Sequence, residues 1–292
     1  MNQDQEIKIP LETTDDQKLI LEAVLSAITP KYEFIEFIQR GGYGSVYKAK
    51  DRNGNTVAIK QIPFLKRKCA SNEIKANKTI GDNEFITKMI DHYSSKSFYN
   101  IVFEYSEIGS VMTYLDKEYG DDHPKDLEDF TLTKSILRDV CQALKYCHSK
   151  NICHKDIKPD NILVFQNSEN KVYFKLCDLG IADCSTVEMQ KVSGSPKYIA
   201  PEIKNKKFYF CDKSDMWAVG VLAYFIHFIS LPFSLKFVLY SEIKENNMKE
   251  IEEKLNDVLD PNFKDFLSKL LIMDPNERMT AKQALEHPFL SS

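Results

Sequence analysis

Twenty consecutive residues, Met216 to Leu235, carry no formal charge. A run of that length either spans a bilayer or lies buried on all sides in the core of a sizeable domain. His227, Ser230 and Pro232 interrupt it, and Asp215 stands immediately before it. Those polar and helix-breaking residues favour a buried core helix. Such a helix needs other elements around it, and 292 residues, 43% of them hydrophobic, are enough to supply them. The same apolar fraction excludes a disordered chain.

Charge narrows the classes further. Lys and Arg number 39 against 43 Asp and Glu, a net charge of -4, so there is no general electrostatic reason to bind nucleic acid. Seven cysteines, an odd number without a C-x-x-C, suit a reduced protein. Cys147-His148 and Cys153-His154 lack the ligand spacing of structural zinc sites. The opening MNQDQEIKIP has neither a basic nor an apolar signal region. An intracellular, cytoplasmic chain with no membrane partner is expected.

Residues 1–22 hold six acids (Asp4, Glu6, Glu12, Asp15, Asp16, Glu22) and two bases (Lys8, Lys18), which accounts for the whole net charge. Thr13 and Asp16 have the spacing of a helix start, and Pro30 stops the helix. Ile20, Ala23, Val24, Ala27 and Ile28 then share one face. The pattern predicts an acidic arm over residues 1–30 that docks on its own domain or takes a regulatory partner at the arm or the small lobe. Residues 31–292 form the main domain. From Phe34 to Ile62, alternation around Gly41-Gly42 and Asn53-Gly54-Asn55 predicts a three-stranded antiparallel meander. A helix from about Lys68 to Ile80 and two strands, Lys88–Tyr93 and Phe98–Tyr105, follow. Beyond Gly109 the pattern is mainly helical. The fold class is therefore α+β, with a small β-rich lobe (about 31–105) and a larger helical lobe (about 110–292) meeting near residues 104–110.

Three groups of residues carry chemistry. Gly41, Gly42 and Gly44 lie between two strands, where backbone N–H groups can approach phosphate oxygens without interference from a Cβ. Val57-Ala58-Ile59-Lys60 is an apolar strand ending in a lysine that needs a counter-charge, and Glu73 on the next helix is the available acid. In His154-Lys155-Asp156-Ile157-Lys158-Pro159-Asp160-Asn161, Asp156 can accept a hydroxyl proton, Asn161 can ligate Mg²⁺, and Lys158 can neutralise a moving phosphoryl group. Asp178-Leu179-Gly180 adds a second carboxylate for a metal.

In that order, with Ala200-Pro201-Glu202 behind them, these segments resemble the signature set of the eukaryotic protein kinases. Lys213-Ser214-Asp215-Met216-Trp217 and Asp274-Pro275-x-x-Arg278 extend the resemblance across residues 34 to 290. It implies a bilobal kinase fold, ATP and Mg²⁺ as cofactors, and protein substrates carrying Ser or Thr. The roles it implies follow residue by residue. Lys60 holds phosphates and pairs with Glu73, Asp156 is the catalytic base, and Lys158 contacts the γ-phosphate. Asn161 and Asp178 bind Mg²⁺. Gly41 and Gly44 cover the phosphates, while Ile38, Val46, Ala58 and Leu163 sandwich the adenine. Glu104 and Ser106 meet its edge beside Phe103. Glu202 pairs with Arg278. Lys158, two residues after Asp156, is similar to the serine/threonine class, and Ser195 in Gly194-Ser195-Pro196 is expected to contact Asp156 and Lys158. The alternative reading is a pseudokinase scaffold that binds nucleotide or partners without turnover.

Departures from the pattern are local. Gln39 replaces the first glycine of the loop, and Lys155 replaces the usual arginine, giving H-K-D. Lys191 stands at the common phosphosite, so activity is expected not to depend on phosphorylation there. Asn77 replaces an apolar residue one turn after Glu73 and predicts a buried, unpartnered amide that loosens its helix.

Overall fold

The computed structural model describes residues 31–120, 129–180, 182, 194–204, 211–233 and 245–291. The acidic arm, Lys191 and its neighbouring serines and threonine lie outside these residues.

Five antiparallel strands form the small lobe: β1 (Tyr32–Arg40), β2 (Ser45–Asp51), β3 (Thr56–Pro63), β4 (Met89–Ser94) and β5 (Phe98–Glu104), in the order β1-β2-β3-β5-β4. The meander ends where its turn chemistry dictates. Asp51 accepts from the main-chain N–H groups of Asn53 and Asn55, and Gly54 takes a positive φ of 80° between them. Alternation along β3 buries Val57 and Ile59 on one face of the sheet and Ile62 on the other. The helix α1 (Arg67–Ile80) packs on this sheet, and Ala70 joins Ile62 and Ile101 in a small core. No side chain caps its first turn and no acid lies there. Its other end is fixed, because the Tyr146 hydroxyl donates to the Ile80 carbonyl at 2.9 Å.

The larger lobe opens with β6 (Gly109–Ser110) and α2 (Val111–Tyr119), which Ser110 caps by accepting from the Thr113 N–H. Then come α3 (Thr131–Ser149), β7 (Ile162–Gln166), β8 (Val172–Leu176), α4 (Pro201–Lys204), α5 (Cys211–Phe228), α6 (Glu245–Asn256), α7 (Pro261–Leu270), α8 (Ala281–Glu286) and α9 (Pro288–Ser291). The β6-β7-β8 sheet faces the first lobe. Main-chain bonds Thr87 N to Leu176 O and Leu176 N to Phe85 O tie the two lobes together behind the cleft.

The uncharged run resolves as core. Met216, Trp217, Val219, Val221, Leu222 and Ile226 on α5 are fully buried. Each such side chain contributes roughly 1.5–3 kcal/mol of transfer free energy. No described helix is long and apolar enough to cross a membrane. Helix starts follow their sequence signals: Asp260 caps α7 with Pro261 behind it, and Thr280 with Gln283 forms a capping box on α8.

Candidate active site

A cleft of about 420 Å³ separates the lobes. Of the residues singled out from sequence, Ile38, Val46, Ala58, Lys60, Glu73, Glu104, Ser106, Asn161, Leu163 and Asp178 line it. Gly41 and Gly44 lie in the β1–β2 connection, where the Gly41 N–H donates to the Gly44 carbonyl at 2.8 Å. A Cβ on Gly44 would collide with the main-chain oxygen of Gln61, so this position admits only glycine without a shift of the strand. Gln39 lies on the rim of the cleft, exposed to solvent.

Strand β3 presents Lys60 to α1 and to the segment after β8 at once. Its Nζ donates to Glu73 Oε1 at 2.8 Å and to Asp178 Oδ1 at 2.7 Å. Burial works against the charged lysine, but the two carboxylates outweigh it and raise its pKa. Burial pushes the Glu73 carboxyl up to about 7 against the pull of Lys60. Asp178 would also be raised by burial, yet Lys60 and the Gly180 N–H hold it below the ordinary carboxylate range. Asp178 itself has φ of 65°, and a Cβ on Gly180 would meet Asp178 Oδ1 at 2.9 Å.

The loop from His154 to Asn161 is built on Asp215. That buried carboxylate accepts from the main-chain N–H of His154 at 2.9 Å and of Lys155 at 2.8 Å, and from His148 Nε2 at 2.9 Å. His154 Nε2 lies 2.8 Å from the Cys177 carbonyl, a pure acceptor, so the ring proton sits on Nε2. Its Nδ1 then accepts from the Asp156 N–H at 3.3 Å. These bonds fix Asp156 at the mouth of the cleft. Its Oδ1 accepts from the Ser195 N–H and its Oδ2 from Asn161 Nδ2, both at 2.8 Å. Lys158 Nζ lies 3.0 Å from Asp156 Oδ2 and donates to Ser195 Oγ at 2.8 Å. Burial raises the Asp156 carboxyl, but Lys158 more than reverses this and leaves it below its usual range. The expected contacts of Ser195 with both residues are present. Gly194, at φ 109°, lets that segment pass the Lys155 carbonyl, which a Cβ would approach to 2.5 Å.

The donor set suits a hard divalent cation. Asn161 spends Nδ2 on the Asp156 carbonyl and carboxylate, which turns Oδ1 away as a free-facing acceptor. Asp178 spends Oδ1 on Lys60 and Gly180, and its Oδ2 has no partner among the described residues. Two oxygen ligands with room for water and phosphate oxygens match Mg²⁺ chemistry.

Some residues in and around the cleft were not singled out from sequence. Lys175 of β8 grips both carboxylate oxygens of Glu104, at 2.8 and 2.9 Å, across the junction of the lobes. No local signal marks it, since it is one lysine in an alternating strand 71 residues away. Thr87 lines the back of the cleft with its hydroxyl unpartnered. Tyr43, in the glycine turn, has its phenol pKa raised by burial, with Cys69, Asp156 and Asp178 adding to the shift.

Two expectations are corrected. Asn77 is buried but partnered, because its Nδ2 donates to the Glu73 carbonyl at 2.8 Å, satisfying the amide within the helix itself. Uniformly reduced thiols do not hold either. Cys69, Cys141, Cys147 and Cys177 are free, whereas Cys153 is disulfide-bonded, which spacing in sequence cannot reveal. His148, Cys153 and Asp215 lie within 4.8 Å of one another, but the disulfide and the saturated Asp215 leave no zinc site there. Cys177 lines the cleft with its thiol pKa raised by burial, which makes it a poor nucleophile. Of the apolar run after α5, Phe233 is buried, and Leu235, Phe237 and Leu239 lie outside the described residues.

Comparison with known proteins agrees with this geometry. The protein kinase domain family matches residues 32–290. An Aurora kinase of Encephalitozoon cuniculi is 30% identical over 275 residues, which cover 89% of this chain and 94% of that protein. The calcium/calmodulin-dependent protein kinase type 1 of Caenorhabditis briggsae is 28% identical over 92% of this chain and 75% of its own length. The serine/threonine-protein kinase DCLK3 of Mus musculus is 29% identical over 92% of this chain but only 34% of its own length. With the family matched over nearly its whole length, the chain belongs to the eukaryotic protein kinases, among relatives of the serine/threonine class.

Proposed function

We propose that this chain transfers the γ-phosphoryl group of ATP to serine or threonine hydroxyls of proteins, with Mg²⁺ as cofactor. The observation that carries the reading is one connected constellation. Glu73, Lys60 and Asp178 are joined by bonds of 2.8 and 2.7 Å, while Asp156, Lys158, Asn161 and Ser195 interlock at 2.8–3.0 Å.

In this reading the adenine lies between Ile38, Val46 and Ala58 above and Leu163 below, with its edge against the main chain of Glu104 to Ser106. Gly41 and Gly44 cover the phosphates, and Lys60, held by Glu73, pairs with their charge. Asn161 and Asp178 hold the Mg²⁺, which supplies charge neutralisation at the phosphate oxygens when bound. The acceptor hydroxyl sits against Asp156. Its oxygen forms the new bond to phosphorus, the bond to the β–γ bridging oxygen breaks, and the hydroxyl proton passes to Asp156. The depressed pKa of Asp156 keeps it ionised and oriented near neutrality. Lys158 offsets charge on the moving phosphoryl group. Catalysis is then positioning and electrostatic stabilisation. Residues 1–30 lie outside this machinery as an arm, and 31–292 form the catalytic domain.

The test is transfer from radiolabelled ATP with Mg²⁺ to a generic basic protein, with Asp178→Asn as control. Transfer that vanishes in the control supports the kinase. Nucleotide binding without transfer, on a range of protein substrates, would instead establish the pseudokinase scaffold.

A further inference from the structure

Two buried hydroxyls line the cleft, Ser106 and Thr87, and they differ in what they hold. Ser106 Oγ donates to the Val164 carbonyl at 2.5 Å and accepts from the Gly109 N–H at 2.9 Å. Thr87 is 4% exposed, and its Oγ1 has no hydrogen-bond partner among the described residues. A buried hydroxyl without a partner is costly in the protein alone and is repaired when a ligand supplies one. Main-chain bonds locate it in the cleft. The Thr87 N–H donates to the Leu176 carbonyl at 2.9 Å, with Cys177 next along that chain. Lys88, the following residue, is bonded twice to Glu104. The Glu104 N–H donates to the Lys88 carbonyl at 3.0 Å, and the Lys88 N–H donates to Glu104 Oε1 at 2.7 Å. Thr87 is thus one residue from the direct partner of Glu104. Phe103, the residue before Glu104, and its cross-strand partner Ala58 line the cleft with apolar surface. Glu73 Oε2 also lines the cleft without a partner, but it belongs to a carboxylate that Lys60 already holds.

Resting on the nucleotide reading above, we propose that Thr87 determines base specificity, its Oγ1 accepting a hydrogen bond from the 6-amino group of adenine. That amino group has two N–H bonds to satisfy. One meets the Glu104 carbonyl in that reading. The other needs an acceptor among the residues next to Glu104. Phe103 and Ala58 offer none, Cys177 offers only a weak thiol, and Thr87 offers a hydroxyl oxygen with nothing else to hold. The hydroxyl and the second N–H, each stranded alone, satisfy one another. A site built this way discriminates against a base that lacks the matching group, because its own buried polar atom is then left unpaired.

The test reads binding by titration calorimetry, so it is separate from the phosphotransfer assay. ATP is compared with purine riboside triphosphate, which carries hydrogen in place of the 6-amino group. Thr87→Val keeps the branched shape and removes only the hydroxyl. It is expected to bind ATP about 3–10-fold more weakly than the parent, with the analogue bound equally well or more tightly. Thr87→Ser, which retains a hydroxyl, is expected to keep the parent's preference for ATP over the analogue. Without nucleotide, Thr87→Val is expected to melt about 2–4 °C higher, because the stranded hydroxyl is gone, and saturating ATP should narrow the gap. Equal losses for both nucleotides, or no loss for either, would overturn the proposal and leave the hydroxyl to a water or to the shape of the wall. A valine variant weakened for GTP and not for ATP would mean that the hydroxyl donates to a 6-oxo group, and would overturn it as well. So would a variant that melts lower without nucleotide, since the hydroxyl would then already have a partner. The valine pattern supports the proposal even if no phosphoryl group is transferred, whereas a parent that binds no ATP overturns the nucleotide reading and this one with it.

Discussion

Glu202–Arg278 in the large lobe and Lys60–Glu73 in the small lobe are both buried ion pairs, but only the first is saturated. The five N–H donors of Arg278 all find acceptors: two on Glu202, two on the Ile272 carbonyl and one on the Lys213 carbonyl. Ser214 donates to Glu202 in turn, and the guanidinium lies 5.2 Å from the Trp217 ring centre. Lys60, by contrast, is divided between Glu73 and Asp178, and Glu73 Oε2 is buried with no partner. A pair with every valence met holds a fold in one arrangement. A pair with a spare oxygen and a shared cation can exchange partners at small loss, which is what a site handling phosphate requires. The two pairs look alike in sequence and differ only in what surrounds them.

The largest effects should separate chemistry from scaffold. Asp178→Asn is expected to lower phosphotransfer on the order of 1000-fold, with the urea unfolding midpoint nearly unchanged. An equal fall from a surface change remote from the cleft would break the distinction. Arg278→Ala is expected to lose about 3–5 kcal/mol in urea unfolding, because it strands a buried carboxylate. Glu73→Gln should do the reverse, lowering transfer roughly 100-fold by misplacing Lys60 while costing about 1 kcal/mol or less. If Glu73→Gln unfolds the protein as readily as Arg278→Ala, the two pairs are equivalent and the comparison fails.

Acidity sharpens the same contrast. Glu73 has its folded pKa raised from 4.5 to about 7, so its protonated form favours the folded state. Its contribution is fully present below about 4.5 and is lost as pH rises towards 7. The stability of the parent relative to Glu73→Gln should therefore fall between those values, as read from paired urea titrations; a rise would reverse the sign of the argument. The smallest effect belongs to Asn77. Since its amide bonds the Glu73 carbonyl, Asn77→Leu should change stability by no more than about 1 kcal/mol and leave transfer as it was. A several-fold gain in transfer would mean that the amide does loosen α1.

Much of this was legible in the residues alone. Strand β3 and helix α1 lie within a residue or two of where periodicity puts them, because β3 alternates between the two faces of the sheet and α1 buries one face against it. The Lys60–Glu73 pair follows from a cation on an apolar strand with one acid in reach. What escaped the sequence depends on the third dimension. Lys175 meets Glu104 only because β8 runs beneath the junction of the lobes. Asn77 reads as an orphan until its own helix supplies the acceptor one turn back. Cys153 gives no sign of its disulfide.

The unequal ends of α1 make it a lever. Its Ile80 end is pinned by Tyr146 and sits beside the main-chain bonds that join the lobes, so the fulcrum is there. Glu73 lies seven residues from that point and Arg67 thirteen, about 10 and 20 Å at 1.5 Å per residue. Any sideways displacement at the outer end reaches Glu73 reduced by about half. A push of about 2 Å near Arg67 moves the carboxylate about 1 Å, enough to stretch a contact of 2.8 Å out of hydrogen-bonding range. Force applied on the back of the helix is thereby converted into the presence or absence of one ion pair in the cleft.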